Sequence, residues 1–182
     1  MRSAVFLDRD GVINSAIVIN GKPFPPAKLS EVEILPGVRE AMAALHQQGW
    51  LLIVISNQPD VARGRMLRAE VEAINAFLQN ELPIDDFRIC FHDDRDRCDC
   101  RKPLPGAILD AAIFYNIDLR ISYMVGDRWR DTEAGASAGC KTIFVDSGYL
   151  EKQPEKFNFR VKSLLEAANI ILGRRHEKNR GT

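Results

Sequence analysis

No stretch of this 182-residue chain approaches the ~20 consecutive apolar residues that a membrane-spanning helix needs. The apolar run near the start, Ala4 to Leu7, is far too short for a secretory signal, so a cytoplasmic protein is expected. Neither sign of charge is in excess. The 25 Lys and Arg balance the 25 Asp and Glu, which removes the global field that would recruit nucleic acid or an anionic membrane. Nor is there an aromatic-basic stripe of the kind that single-stranded nucleic-acid grooves use. Repeats and low-complexity segments are absent, and no strongly apolar exposed helix face stands out, so a monomer is expected. Cysteine is scarce, but three of the four (Cys90, Cys98, Cys100) fall within eleven residues. Without a secretion signal, that spacing favours metal binding over a disulfide framework. Cys140 stands apart and reads as a small core residue.

What is present is an alternation. Apolar runs at Ala4 to Leu7, Leu51 to Ile55, Ile89 to Phe91, Tyr123 to Val125 and Thr142 to Val145 read as buried strands, too short for helices. Between them, helical spacing recurs in Val38, Ala41, Met42 and Leu45, in Val71, Ile74 and Leu78, and in Leu104, Ile108 and Ala111. The pattern predicts an α/β fold, a central parallel sheet with helices on both faces. Phe157, Phe159 and Val161 predict a last strand, and Ser163 with Glu166 a capping box before a final helix. Asn20 to Pro26 is turn-rich and reads as a loop bordering the site. One domain over residues 1–173 is expected, with 174–182 a frayed polar tail. The chain between Ser56 and Lys102 leaves no room for a large cap domain, so the pocket should be open.

The most informative stretch is Ala4-Val5-Phe6-Leu7-Asp8-Arg9-Asp10-Gly11-Val12-Ile13-Asn14, where a strand ends in two aspartates one residue apart and a glycine. Asp and Gly after a strand can simply make a turn. Here three further signals accompany them: Ser56-Asn57 after a second apolar run, Lys102 before a proline, and Gly126-Asp127 after a third run. Ligands of open parallel sheets bind beyond the carboxyl ends of strands, which is where Asp8, Ser56 and Asp127 fall. A carboxylate nucleophile, a hard divalent cation and a fixed positive donor are what phosphate-ester cleavage requires.

Cys90, His92, Cys98 and Cys100 form a second constellation. Two pairs, each spaced by one residue, flank the polar loop Asp93-Asp94-Arg95-Asp96-Arg97, and three thiolates with one imidazole complete a tetrahedral structural zinc site. Asp93, Asp94 and Asp96 read as solvated loop charges, because thiolate sites select zinc and carboxylates select harder ions.

Taken together, the four catalytic signals resemble the haloacid dehalogenase superfamily. The resemblance implies a Rossmann-like fold and Mg²⁺-dependent phosphomonoester hydrolysis through an aspartyl-phosphate on Asp8. Asp10 would act as acid and base, Ser56 and Lys102 would bind the transferring phosphate, and Asp8, Asp10 (through its carbonyl) and Asp127 would bind Mg²⁺. Asp131 is open between metal support and helix capping. Within the superfamily, the first motif, Ser56-Asn57-Gln58, Ala62-Arg63-Gly64, the zinc loop and Arg101-Lys102-Pro103 resemble the D-glycero-D-manno-heptose 1,7-bisphosphate 7-phosphatases. That likeness implies a small phosphorylated sugar as substrate, with Asn57, Arg63, Arg101 and Arg128 as candidate binding residues and zinc as a structural ion.

The chain departs from that pattern twice. Arg128 stands where lysine is usual, and Pro59-Asp60 brings a rigid, acidic pair to the expected rim. Asp60 is the feature that fits a histidinol-phosphate phosphatase, whose substrate carries a cation. A polynucleotide 3′-phosphatase shares the catalytic motifs but sits poorly with the neutral charge. A zinc-stabilised binding protein without catalysis is the reading from another class.

Overall fold

The computed structural model describes the backbone of residues 1–180 and the side chains of residues 1–173. Strands β1 (Ala4–Leu7), β4 (Leu51–Asn57), β5 (Asp86–Cys90), β6 (Tyr123–Gly126), β7 (Lys141–Val145) and β8 (Phe159–Val161) form one sheet. Its order is β5-β4-β1-β6-β7-β8, and every neighbouring pair is parallel. The period-2 alternation of each strand sorts its side chains between two cores. Val5, Leu7, Leu52 and Val54 pack under α1 (Val38–Gln47), α3 (Arg68–Glu81) and α6 (Leu164–Arg180), whereas Ala4, Phe6, Ile53 and Ile55 pack under α4 (Gly106–Tyr115) and α5 (Trp129–Ala138). Both faces of the sheet are therefore covered, as continuous apolar runs demand.

The chain leaves β1 toward β4 on one side and reaches β6 on the other. The order therefore reverses around β1, and a crevice opens at the carboxyl ends of the strands there. Between β4 and β5 lie only the short α2 (Pro59–Ala62) and α3, so among the described residues no cap domain is inserted.

Four details differ from the sequence reading. Residues 17–24 are an antiparallel hairpin, β2 (Ile17–Ile19) with β3 (Lys22–Phe24), not a loop. Asn20 and Gly21 turn it with φ of 50° and 75°, which an Asn-Gly pair adopts at little cost. The edge strand β5 starts at Asp86, where Arg88 bonds Asp86 at 2.7 Å, so its polar residues hide it from a hydrophobicity pattern. At the last helix Ser163 Oγ accepts the Glu166 N–H, but Glu166 reaches back to the Lys162 N–H, so the capping box is only half formed. The tail expected from residue 174 continues α6 in backbone as far as Arg180; its side chains and residues 181–182 lie outside the described residues.

Candidate active site

Backbone register brings the catalytic residues together. Leu7 pairs with Val54 on one side and with Val125 on the other, and the Asp8 N–H donates to the Val125 carbonyl at 2.9 Å. Asp8, Ser56 and Asp127 thus emerge at one edge of the sheet. Asp131, on the first turn of α5, joins them, and one oxygen from each of Asp8, Asp127 and Asp131 lies within 4.8 Å of the others.

Lys102 is buried between these carboxylates. Its Nζ lies 2.9 Å from Asp8 Oδ1 and 2.6 Å from Asp131 Oδ1, and donates to the Ile55 carbonyl at 2.6 Å. Burial alone would lower the ammonium pKa, but Asp131 and Asp8 reverse this and hold it above its usual value. The carboxylates carry the opposite strain. Burial, and then the charge of Asp131, pushes Asp8 up to about 6, while burial, and then Asp8 and Asp131, raises Asp127 well above the usual carboxylate range. Neither buried oxygen of Asp127 makes a well-formed hydrogen bond; the Tyr149 hydroxyl is a polar neighbour that eases its ionisation.

Ionising all three carboxylates beside one ammonium would leave two negative charges uncompensated, and Asp127 offers orphaned oxygen donors. A hard divalent cation such as Mg²⁺ fits that donor set. Space is held open for it by Gly11, since a Cβ there would stand 1.8 Å from Asp127 Oδ2, and its φ of +90° suits glycine alone. Asp131 turns out to serve in two ways at once: it holds Lys102 through Oδ1, and through Oδ2 it accepts the Arg128 N–H at 2.9 Å to cap α5.

Asp10 faces the same cavity but is held from behind. Arg9, fully buried, gives it two bonds of 3.1 Å, while Asn14 and Gln58 donate to it at 3.0 Å and 2.8 Å. All of these partners are donors, matching the acceptor capacity of a carboxylate. The third guanidinium nitrogen of Arg9 reaches Asn75 of α3 at 2.9 Å. Gln58 Nε2 also donates to Ser56 Oγ at 2.9 Å, which ties the two candidate phosphate-handling side chains together. The sequence assigns no role to Arg9 or Gln58, although both stand within the motifs that carry the family resemblance. Arg9 sits between the two motif aspartates, and that adjacency was the available signal.

The other candidate residues divide. Asn57 lines the cavity, but its amide is taken up by the Lys102 backbone, donating to the carbonyl at 2.9 Å and accepting the N–H at 3.1 Å. Arg128 also lines the cavity, with its guanidinium clamped to Glu151 at 2.7 and 2.5 Å. Arg101 stands in the adjoining groove, bonded to Asp94 at 2.8 Å. Arg63 is not brought to the cavity: it bonds Asp93 at 3.1 and 2.7 Å and Asp60 at 3.4 Å. Asp60 is thereby engaged by Arg63, with Arg65 3.8 Å away, and does not line the cavity with Asp8. Trp129 is flanked by Lys152 and Arg130, whose cations lie 4.2 and 4.8 Å from its ring. The hairpin supplies the opposite wall through Pro23, Phe24 and Pro25.

Cys90, His92, Cys98 and Cys100 converge with their ligand atoms within 4.8 Å of one another. A tetrahedral ion with Zn–S near 2.3 Å sets its sulfurs about 3.8 Å apart and a sulfur and nitrogen about 3.5 Å apart. Here Cys90 Sγ is 3.7 Å from Cys98 Sγ and 3.6 Å from His92 Nδ1, which is 3.3 Å from Cys100 Sγ. The donor set therefore fits zinc, with no open position for catalysis. Asp93 and Asp96 are not merely solvated: they cap the 3-10 turn Asp94–Asp96 within the loop, and Asp93 and Asp94 anchor Arg63 and Arg101.

This arrangement of aspartates, lysine and switch-point crevice defines a hydrolase of the haloacid dehalogenase type. The chain matches the haloacid dehalogenase-like hydrolases over residues 27–139 and belongs to that family. Among its relatives, a D-glycero-beta-D-manno-heptose-1,7-bisphosphate 7-phosphatase of Salmonella typhi is 36% identical over 80% of this chain and 81% of its own. One of the same name from Vibrio cholerae is 38% identical, covering 81% and 83%. The crystal structure of D,D-heptose 1,7-bisphosphate phosphatase from B. bronchiseptica, complexed with magnesium and phosphate, superposes with a TM-score of 0.80. It is 33% identical and covers 94% of this chain and 99% of its own. The resemblance drawn from the motifs is thus borne out at the level of the family. Among the described residues no helix is long and apolar enough to cross a membrane.

Proposed function

We propose that this chain is a Mg²⁺-dependent phosphomonoester hydrolase that removes the 7-phosphate of D-glycero-D-manno-heptose 1,7-bisphosphate. The observation that carries the chemistry is Lys102 held between Asp8 and Asp131 beside the orphaned oxygens of Asp127. The substrate follows from relatives that share more than a third of their residues with it across four-fifths of the chain.

Asp8 Oδ1 is occupied by Lys102 and by the Arg9 N–H, and neither contact uses Oδ2. That free oxygen attacks phosphorus, the ester P–O bond breaks, and the departing sugar oxygen takes a proton from Asp10. Asp10 then removes a proton from water, whose oxygen attacks the phosphorus. The bond to Asp8 breaks and inorganic phosphate leaves. Lys102 and Ser56 hold the transferring group, and Asn57 fixes Lys102. Asp8, Asp127 and the Asp10 carbonyl would hold Mg²⁺, which when bound neutralises charge on the transferring phosphate. Zinc at Cys90, His92, Cys98 and Cys100 would fix the loop that carries Arg101 and Lys102. We infer a cytoplasmic enzyme; the monomer expected from the sequence loses its ground, because α4 exposes Leu109, Ile113 and Phe114.

The test is Mg²⁺-dependent phosphate release from both anomers of heptose 1,7-bisphosphate, from histidinol phosphate and from a 3′-phosphorylated oligonucleotide, with Asp8→Asn as control. Preference for a heptose bisphosphate, abolished in the control, supports the reading. Preference for another ester reassigns the substrate, and no turnover of any removes the activity.

A further inference from the structure

We propose that Arg130, rather than Arg128 or Arg63, is the cation that recognises the second, untransferred phosphate of the substrate; this rests on the bisphosphate reading above. Five guanidinium groups stand at this end of the sheet; Arg97 is exposed and lines the outer groove but not the cavity with Asp8, and what separates the other four is how their charge is matched. Arg128 is met by Glu151 through two short bonds, and Arg63 by Asp93 through two more with Asp60 beside it. Arg101 takes Asp94 at 2.8 Å. Arg130 is left with the same Asp94 at 3.7 Å, beyond hydrogen-bonding reach, and a long 3.5 Å bond to the Lys102 carbonyl. Two guanidinium groups around one carboxylate leave one positive charge uncompensated on the rim.

Desolvation adds to the contrast. Burial pulls the Arg130 guanidinium below its usual pKa, whereas the bond to Asp93 lifts Arg63, and Glu151 lifts Arg128 in spite of its burial. Arg130 has thus lost water without gaining a dedicated anion, which is the condition of a group whose partner comes from outside.

Its position suits that partner. Arg130 lines the cavity that contains Asp8 and Lys102, and also the adjoining groove with Arg101, Leu104 and Pro103. A sugar phosphorylated at both ends needs two anion sites set apart by the sugar. Asp8 and Lys102 mark the first, and the groove where Arg130 and Arg101 meet is the second. The Trp129 ring, 4.8 Å from the Arg130 guanidinium, steadies its plane for a two-pronged contact with phosphate.

The experiment compares kcat/KM for heptose 1,7-bisphosphate with kcat/KM for heptose 7-phosphate in the wild type, R130Q and R130K. The expected result is that R130Q lowers the ratio of the two about tenfold or more, mainly through KM for the bisphosphate, because a charge-assisted contact is lost only with that substrate. R130K, which keeps the charge but not the fork, should fall between, and it carries the test should R130Q fold poorly. A ratio unchanged to within about threefold in both variants, alongside a wild type that prefers the bisphosphate, overturns the role of Arg130 and leaves the proposed function standing. A wild type that turns over neither heptose phosphate removes both.

Discussion

Asn57 and Lys102 are joined by two hydrogen bonds running in opposite directions, at 2.9 and 3.1 Å, across 45 residues of sequence. They fasten the end of β4 to the loop that leaves the zinc cluster. The Lys102 ammonium therefore reaches Asp8 from a backbone that is itself held on the strand carrying Ser56.

Replacing Asn57 with Ala should release that backbone. Two hydrogen bonds to buried or half-buried groups are worth roughly 1–3 kcal/mol of stability, and a misplaced lysine should lower kcat about tenfold or more. Thermal unfolding with steady-state kinetics checks both. An unchanged kcat in Asn57→Ala means that Lys102 is held without its help.

Arg9→Met removes the cation from a buried pair and leaves Asp10 and Asn75 without their donor. Breaking such a pair should cost on the order of 3 kcal/mol. Denaturant unfolding gives the number, and a loss under about 1 kcal/mol would show that Asn14 and Gln58 suffice for Asp10.

Cys98→Ser takes one thiolate from a four-ligand set. Elemental analysis should show about one zinc per wild-type chain, as a closed tetrahedral site implies, and substantially less in the variant. The melting temperature and turnover should fall together, since Arg101 and Lys102 directly follow Cys100. Full zinc content with full activity in the variant removes the ordering role of the metal.

The Mg²⁺-free protein should lose stability as pH rises. Burial pushes the folded Asp8 carboxyl up to about 6 against an ordinary 3.8, so the native state holds its proton more tightly than the unfolded chain. That contribution is complete below about pH 4 and fades as pH climbs through about 6; Asp127 shifts in the same direction. Melting temperatures recorded from about pH 5 to pH 8 without added Mg²⁺ should therefore decline relative to those with saturating Mg²⁺. A gap that stays constant with pH contradicts this account of the carboxylate cluster.

Asp8, Asp127 and the zinc ligands were legible because each has a local cue: a buried apolar run that stops at a charged residue, or thiols paired at metal-ligand spacing. What stayed hidden depends on partners distant in sequence. Arg9 looks like a surface residue until Asn75, 66 positions away, and Asp10 enclose it. Asp93 and Asp94 look solvated until Arg63 and Arg101 fold onto them. Arg63 looked like a substrate ligand by its place after the second motif, and the same ion pairs draw it off the cavity. The hairpin escaped because Ile17, Val18 and Ile19 are all exposed, so its strands carry no buried face, although Asn-Gly between β-branched and aromatic neighbours was a usable signal.

The distance between Asp8 and Asp127 is inherited from the ladder that pairs Leu7 with Val125. Neither side chain can be retuned without moving a central strand buried on both faces, so the reactive geometry is as fixed as the sheet itself. The pieces that hang from its rim divide: the exposed hairpin only walls the cavity, whereas the loop closed by the cysteines carries Lys102 and the first turn of α5 carries Asp131. The hairpin can therefore change with the substrate, while the loop and the helix turn are bound to the chemistry through Lys102.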